Sequence, residues 1–171
     1  MKEVIMSELG KLVGLKLQDA GRASNLFWLG FGDMIPIIRR GKTQVSAEYA
    51  LHIQCSWRIT LNNKILVASR DFYSPSSEWG GDIEDFDWDM LGKNRFDERI
   101  KTFIKDKGRL QVKNIESDDI GGLKVFLSDG YKLEAFPDSS EDDDQGEHWR
   151  FFSRKDNSPH FVVSGMGIEK V

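Results

Sequence analysis

Residues 50–59 read ALHIQCSWRI, and their reading decides the fold. Leu51, Ile53, Cys55, Trp57 and Ile59 fall on one parity, His52, Gln54, Ser56 and Arg58 on the other. A period of two marks a half-buried β-strand, because successive Cβ atoms point to opposite faces of a sheet. The alternation predicts an inward row with the chain's single cysteine between Ile53 and Trp57, and an outward row carrying His52 and Arg58. A thiol in the inward row acts as a small hydrophobe whose thiolate is disfavoured by lost hydration. Cys55 therefore reads as structural and not as a nucleophile.

The same texture continues on both sides. LVGLKL (12–17) sets Val13, Leu15 and Leu17 on one parity, and NLFWLGF (25–31) is apolar on both, as in a strand covered on two faces. Asn62-Asn63 tolerate positive φ and precede KILVASRDFY, so Ala47 to Tyr73 reads as a hairpin of two long strands. RLQVKNI, GGLKVFLSDGYKLEAFP, HWRFFSR and HFVVSGMGIEKV are further strand segments. In LKVFLSDGYKLEA, looping out Ser128, Asp129 and Gly130 sets Leu127 against Tyr131, Val125 against Leu133, Leu123 against Ala135 and Lys124 against Glu134. Each face then stays pure, whereas a two-residue loop mixes polar with apolar, so the three-residue loop is expected, with Gly130 at positive φ and a bulge.

A clear helix signal occurs once, in NRFDERIKTFIKDKG, where Phe96, Ile100, Phe103 and Ile104 recur at helical spacing. Asn94 can cap it, Asp97 and Glu98 suit its positive end, Lys105 and Lys107 its negative end, and Gly108 stops it. The expected class is mainly β (α+β), with eight or more antiparallel strands and one or two helices in a single compact domain over residues 1–171. Two pseudo-repeated β units, about 10–73 and 108–171, are expected to be joined by an acidic loop and the helix. Val13, Leu15, Asp19, Leu26 and Trp28 match Leu110, Val112, Glu116, Leu123 and Val125 at one offset, and each half carries a Trp-Arg pair, Trp57-Arg58 and Trp149-Arg150.

Composition narrows the function. At 171 residues, 39% hydrophobic and 30% charged, the chain suits one globular domain, and its net charge of −4 does not suit a surface that neutralises phosphates. Nucleic acid is not an expected partner. A single cysteine cannot form an internal disulfide, and no apolar run reaches the length of a signal peptide or a membrane span, so the expectation is a cytoplasmic protein with no membrane partner. RRGKT (39–43) ends like a phosphate-binding loop, but Pro36 stands where the motif needs its first glycine and a strand pattern follows, so it reads as a basic turn. An EF-hand register from Asp138 would put Asp143 where glycine is required. His52, His148, His160 and Cys55 lack zinc spacing, and neither HExxH nor GxSxG is present, so no metal and no cofactor are expected.

Two candidate surfaces remain. From Glu78 to Glu98 eight acids face only Lys93 and Arg95, and residues 138–147 contain no base, so two loops form a field that would steer a cationic protein. Trp79 and Trp88, with Asp142, Asp143 and Asp144, are the candidate interaction residues of a non-catalytic intracellular binding protein, immunity-like, against a basic partner. The alternative is a small-molecule binder or enzyme, its pocket lined by His52, Arg58, His148 and Arg150 where two Trp-Arg strands lie side by side, with Glu147 and His148 as an acid–base pair.

EYALHIQCSWRI (48–59), ASRDFY (68–73) and LEAFPDSSEDDDQGEHWRFF (133–152) together resemble the layout of a family of small stand-alone bacterial proteins with paired Trp-Arg landmarks, from about Leu12 to Phe152. The resemblance implies a compact single domain, and carries neither an activity nor site residues.

Overall fold

The computed structural model describes residues 1–105, 108–140 and 146–171. Helix α1 (Lys2–Leu9) is followed by β1 (Leu17–Ala23), β2 (Leu26–Arg39), β3 (Lys42–Ile53), β4 (Ser56–Leu61) and β5 (Lys64–Ala68). After a long loop and helix α2 (Arg95–Lys105) come β6 (Val112–Ser117), β7 (Leu123–Leu127), β8 (Tyr131–Phe136), β9 (Glu147–Ser153), β10 (Phe161–Ser164) and β11 (Gly167–Lys170). All pairings are antiparallel, in a six-stranded sheet ordered β1-β2-β3-β9-β10-β11 and a five-stranded sheet ordered β5-β4-β8-β7-β6. The chain halves interlock. The first gives β1–β3 to the larger sheet and β4–β5 to the smaller, and the second gives β6–β8 to the smaller and β9–β11 to the larger.

Residues 50–59 are not one strand but the crossing between the sheets. β3 ends at Ile53, the backbone N–H groups of Gln54 and Cys55 both donate to the His148 carbonyl (2.9 and 3.1 Å), and β4 opens at Ser56 in the other sheet. The parity survives the corner because both strands face the same core. Leu51, Ile53, Cys55, Trp57 and Ile59 are buried, while His52, Ser56 and Arg58 are half-buried and Gln54 is exposed. The long hairpin expected from Ala47 to Tyr73 is correspondingly cut short. β3 pairs back onto β2, and only β4 and β5 close around Asn62-Asn63, both at positive φ (47° and 65°), before a 3-10 turn at Ser69–Tyr73.

Val13, 48% exposed, precedes β1 instead of lying in it. Helix α1 is the second of the one or two helices expected; it gives only a weak period in sequence because only Ile5 and Leu9 of its eight residues turn inward. In β2 the two apolar rows separate: Phe27, Leu29 and Phe31 enter the core, while Leu26 and Trp28 lie half-buried on the outer face.

At the centre Trp57 of β4 stacks on Phe27 of β2 with ring centroids 4.0 Å apart and meets Phe96 of α2 and Phe72 edge-on at 5.8 Å each. One side chain so joins both sheets, a turn and a helix, and burial of each such aromatic contributes on the order of 1.5–3 kcal/mol. Asn94 caps α2 as expected, its Oδ1 accepting from Asp97 N–H at 2.8 Å. The β7–β8 register is the expected one: Leu123, Lys124 and Val125 oppose Ala135, Glu134 and Leu133, with a three-residue loop in which Gly130 (φ 81°) and also Asp129 (φ 58°) are left-handed.

The β2–β3 hairpin continues past β1 as a two-stranded arm closed by Arg40-Gly41 (φ 51° and 73°), a basic turn. A bulge between Phe31 and Met34, where Gly32 takes φ 88°, bends the arm over the outer face of the larger sheet. Among the described residues no helix is long and apolar enough to cross a membrane.

Candidate functional site

Strand pairing decides which of the candidate pocket residues meet. β3 and β9 are neighbours, and His52 lies directly opposite Arg150. Arg150 is already engaged: its Nε donates to Glu147 Oε1 at 2.7 Å, a second bond joins Nη2 to Oε2, and Nη1 lies 3.3 Å from His160 Nδ1. Burial alone would raise the Glu147 carboxyl, but the Arg150 hydrogen bonds outweigh it and hold Glu147 below its ordinary range, so it serves as a counterion. Arg58 belongs to the smaller sheet, where its Nε donates to the buried Glu134 carboxylate at 2.8 Å and Lys132 adds a second cation at 3.2 Å. His148 is buried at the corner. The structure thus brings together His52 and Arg150 and leaves Arg58 elsewhere, because the two Trp-Arg strands sit in different sheets. The Cys55 thiol, buried and facing Asp138, is pushed up to about 12 and stays protonated at neutral pH.

The loop between the 3-10 turn and α2 is held from within by one arginine. The Arg22 side chain is 1% exposed, and its guanidinium grips both carboxylate oxygens of Asp97 (2.9 Å each), Asp89 Oδ1 and the Asp89 carbonyl (3.1 Å each). Ser77 N–H and Oγ donate to Glu98 (2.8 and 2.7 Å), and Asn94 Nδ2 donates to the Trp88 carbonyl at 2.9 Å. Trp88 packs on Tyr73 (5.1 Å) and against the core, pinning the loop to the body, while Trp79 packs on Phe86 (5.6 Å) within the loop itself; both tryptophans are half-buried. Three of the eight acids, Asp89, Asp97 and Glu98, are engaged in these bonds, Asp89 while still exposed. Glu78, Asp82, Glu84, Asp85 and Asp87 are exposed and form no ion pair among the described residues. The apolar side chains that reach solvent are Ile83 (67% exposed), Leu91 (76%) and Met90. Sequence reasoning passed over these three; aliphatic residues inside an acidic loop were the available signal. Asp142, Asp143 and Asp144 lie outside the described residues.

A second concavity, about 610 Å³, lies between the arm and the outer face of the larger sheet. Trp28 forms part of its floor and lies flat across Gly21, where an added Cβ would stand 2.6 Å from the indole. His52 and Arg154 line it from β3 and the end of β9, and Ile37 and Arg39 from the arm. His52 is driven down to about 4 by burial and then by Arg154 and Arg150, so it is neutral at pH 7. Among the described residues no group of three or more His, Cys, Asp or Glu is placed to hold a metal ion.

Comparison with family models, curated proteins and solved structures finds no match to this chain.

Proposed function

We propose that this protein is a non-catalytic binding protein of the bacterial cytosol whose ordered acidic loop takes a basic protein surface. The observation that supports this reading most is the loop's construction, tied down from within by Arg22, Asn94 and Glu98 while five carboxylates and the side chains of Ile83, Met90 and Leu91 face solvent. A long loop with a single 3-10 turn is uncommon in a compact domain unless it serves a function. Prior ordering removes an entropy cost that a mobile loop would meet on binding. The carboxylates attract and orient a cationic partner, the aliphatic side chains supply contact area once it docks, and a phosphate backbone would be repelled. The groups that a catalytic reading would use are engaged in other work: Glu147 with Arg150, Glu134 with Arg58, and Cys55 buried as a thiol.

The test is affinity capture with three immobilised forms: the wild type, the charge-reversed chain Glu84→Lys/Asp85→Lys/Asp87→Lys, and Ile83→Ser/Leu91→Ser. The wild type should retain a basic protein and release it as ionic strength rises. Both variants should fail to retain it while keeping the wild-type melting temperature, since exposed loop side chains contribute little to stability. Equal retention by the charge-reversed chain, or a retained partner that is acidic, overturns the proposal.

A further inference from the structure

The chain carries 28 Asp and Glu residues, yet none of the eleven residues lining the cleft under the arm is acidic. Three arginines line it instead. Arg22 is neutralised by Asp89 and Asp97 at the end nearest the acidic loop. Arg154 and Arg39 are not: among the described residues neither forms an ion pair. Arg154 is half-buried, with its guanidinium 5.3 Å from the centre of the Phe152 ring and Nη1 donating to the Ala47 carbonyl at 2.9 Å. These contacts fix the group in place without cancelling its charge. Burial, and then the charge of Arg39, push the Arg154 guanidinium down from its ordinary value, the sign of a cation short of counter-charge. A half-buried guanidinium with a second, exposed one lining the same cleft costs free energy that a bound oxyanion would recover. The rest of the lining is chiefly apolar, with Leu26 and Trp28 on the floor and Ile37 on the arm, and the volume of about 610 Å³ matches a small-molecule site. A smaller hollow of about 210 Å³ shares Trp28 and Arg154 and is lined by Asp19.

We infer that this cleft binds a small molecule with an oxyanion head, carboxylate or phosphate, on a flat apolar body, the head held by Arg154 and Arg39 and the body lying along Trp28, Leu26 and Ile37. The site is separate from the acidic loop and stands or falls independently of the protein-binding proposal.

The experiment is isothermal titration of the full chain with three probes of one shape: 2-naphthoate, 2-naphthyl phosphate and the neutral 2-naphthalenemethanol. At least one anionic probe should bind saturably, about tenfold or more tighter than the neutral one, and the preferred head tells carboxylate from phosphate. Arg154→Gln should weaken that probe by about tenfold or more. Because Arg154 also ties β9 to the arm, Arg39→Gln, an exposed residue of the arm tip, serves as the second variant and should weaken it as well. Arg70→Gln, exposed and outside the cleft, should leave it unchanged. Absence of saturable binding by both anions up to about 5 mM, equal affinity for the neutral probe, or full affinity in both Arg154→Gln and Arg39→Gln overturns the inference.

Discussion

At His52 burial and the neighbouring arginines act in the same direction. Burial disfavours the imidazolium, Arg154 and Arg150 disfavour it further, Glu147 opposes them and His160 adds to the depression, so the folded value falls from 6.5 to about 4. The unfolded chain therefore binds the extra proton between pH 6.5 and about 4, and stability is full above that window and lost as pH falls through it. The melting temperature should decline from neutral pH toward pH 5, and His52→Gln should decline with a clearly shallower slope; identical slopes would contradict the account. An anion seated against Arg154 would reduce that charge and lift His52 back toward its ordinary value. This behaviour was only half legible in the sequence. Parity placed His52 on the polar face, but the guanidinium that perturbs it most lies about a hundred residues away, and nothing local signals β3 beside β9.

Among the elements, α2 and the acidic loop are one unit joined at Asn94. Its side chain is fully buried, accepting from Asp97 N–H to start the helix and donating to the Trp88 carbonyl to end the loop. Asn94→Ala removes the cap and takes the Asn94 amide from the part-buried Trp88 carbonyl, so it should cost about 2 kcal/mol or more in denaturant unfolding, above the roughly 1 kcal/mol of an ordinary exposed cap. It should also make residues 79–93 the first site of proteolytic nicking. A loss under about 0.5 kcal/mol would mean that Asn94 does not couple the two. This cap and the β7–β8 register could be read directly because each rests on residues close in sequence. The corner at Gln54–Cys55 could not, since a strand that changes sheets around one core keeps its alternation and leaves no break in the pattern.

For the whole molecule, interlocking makes the sheets interdependent. Neither half completes a sheet alone: β3 needs β9 and β8 needs β4. If the halves are duplicates, β1–β5 corresponds to β6–β10, and the two Trp-Arg pairs occupy matching places, Trp57 opposite Ala135 and Trp149 opposite Ile53. The residues matched at one offset in sequence do not keep this correspondence: Val13 is exposed and Leu26 and Trp28 lie half-buried on the outer face, whereas Leu110, Leu123 and Val125 are buried in the core. Far-UV circular dichroism and tryptophan fluorescence should report one coincident thermal transition, and separate transitions would contradict the interdependence. Two surfaces of opposite sign project from this body, the acidic loop and the cationic cleft, with Arg22 buried between them. That the acidic surface is preformed is the claim on which its role depends, and residue-resolved hydrogen exchange across 74–95 tests it most directly. The amides of Ser76, Gly92 and Arg95, which donate to the Lys93 carbonyl, Asp97 and the Ser74 carbonyl (2.8, 2.7 and 2.7 Å), should exchange about a hundredfold or more slowly than in an open chain. Arg22→Gln should speed them while leaving β7 and β8 protected. Open-chain exchange throughout this segment in the wild type would contradict the account.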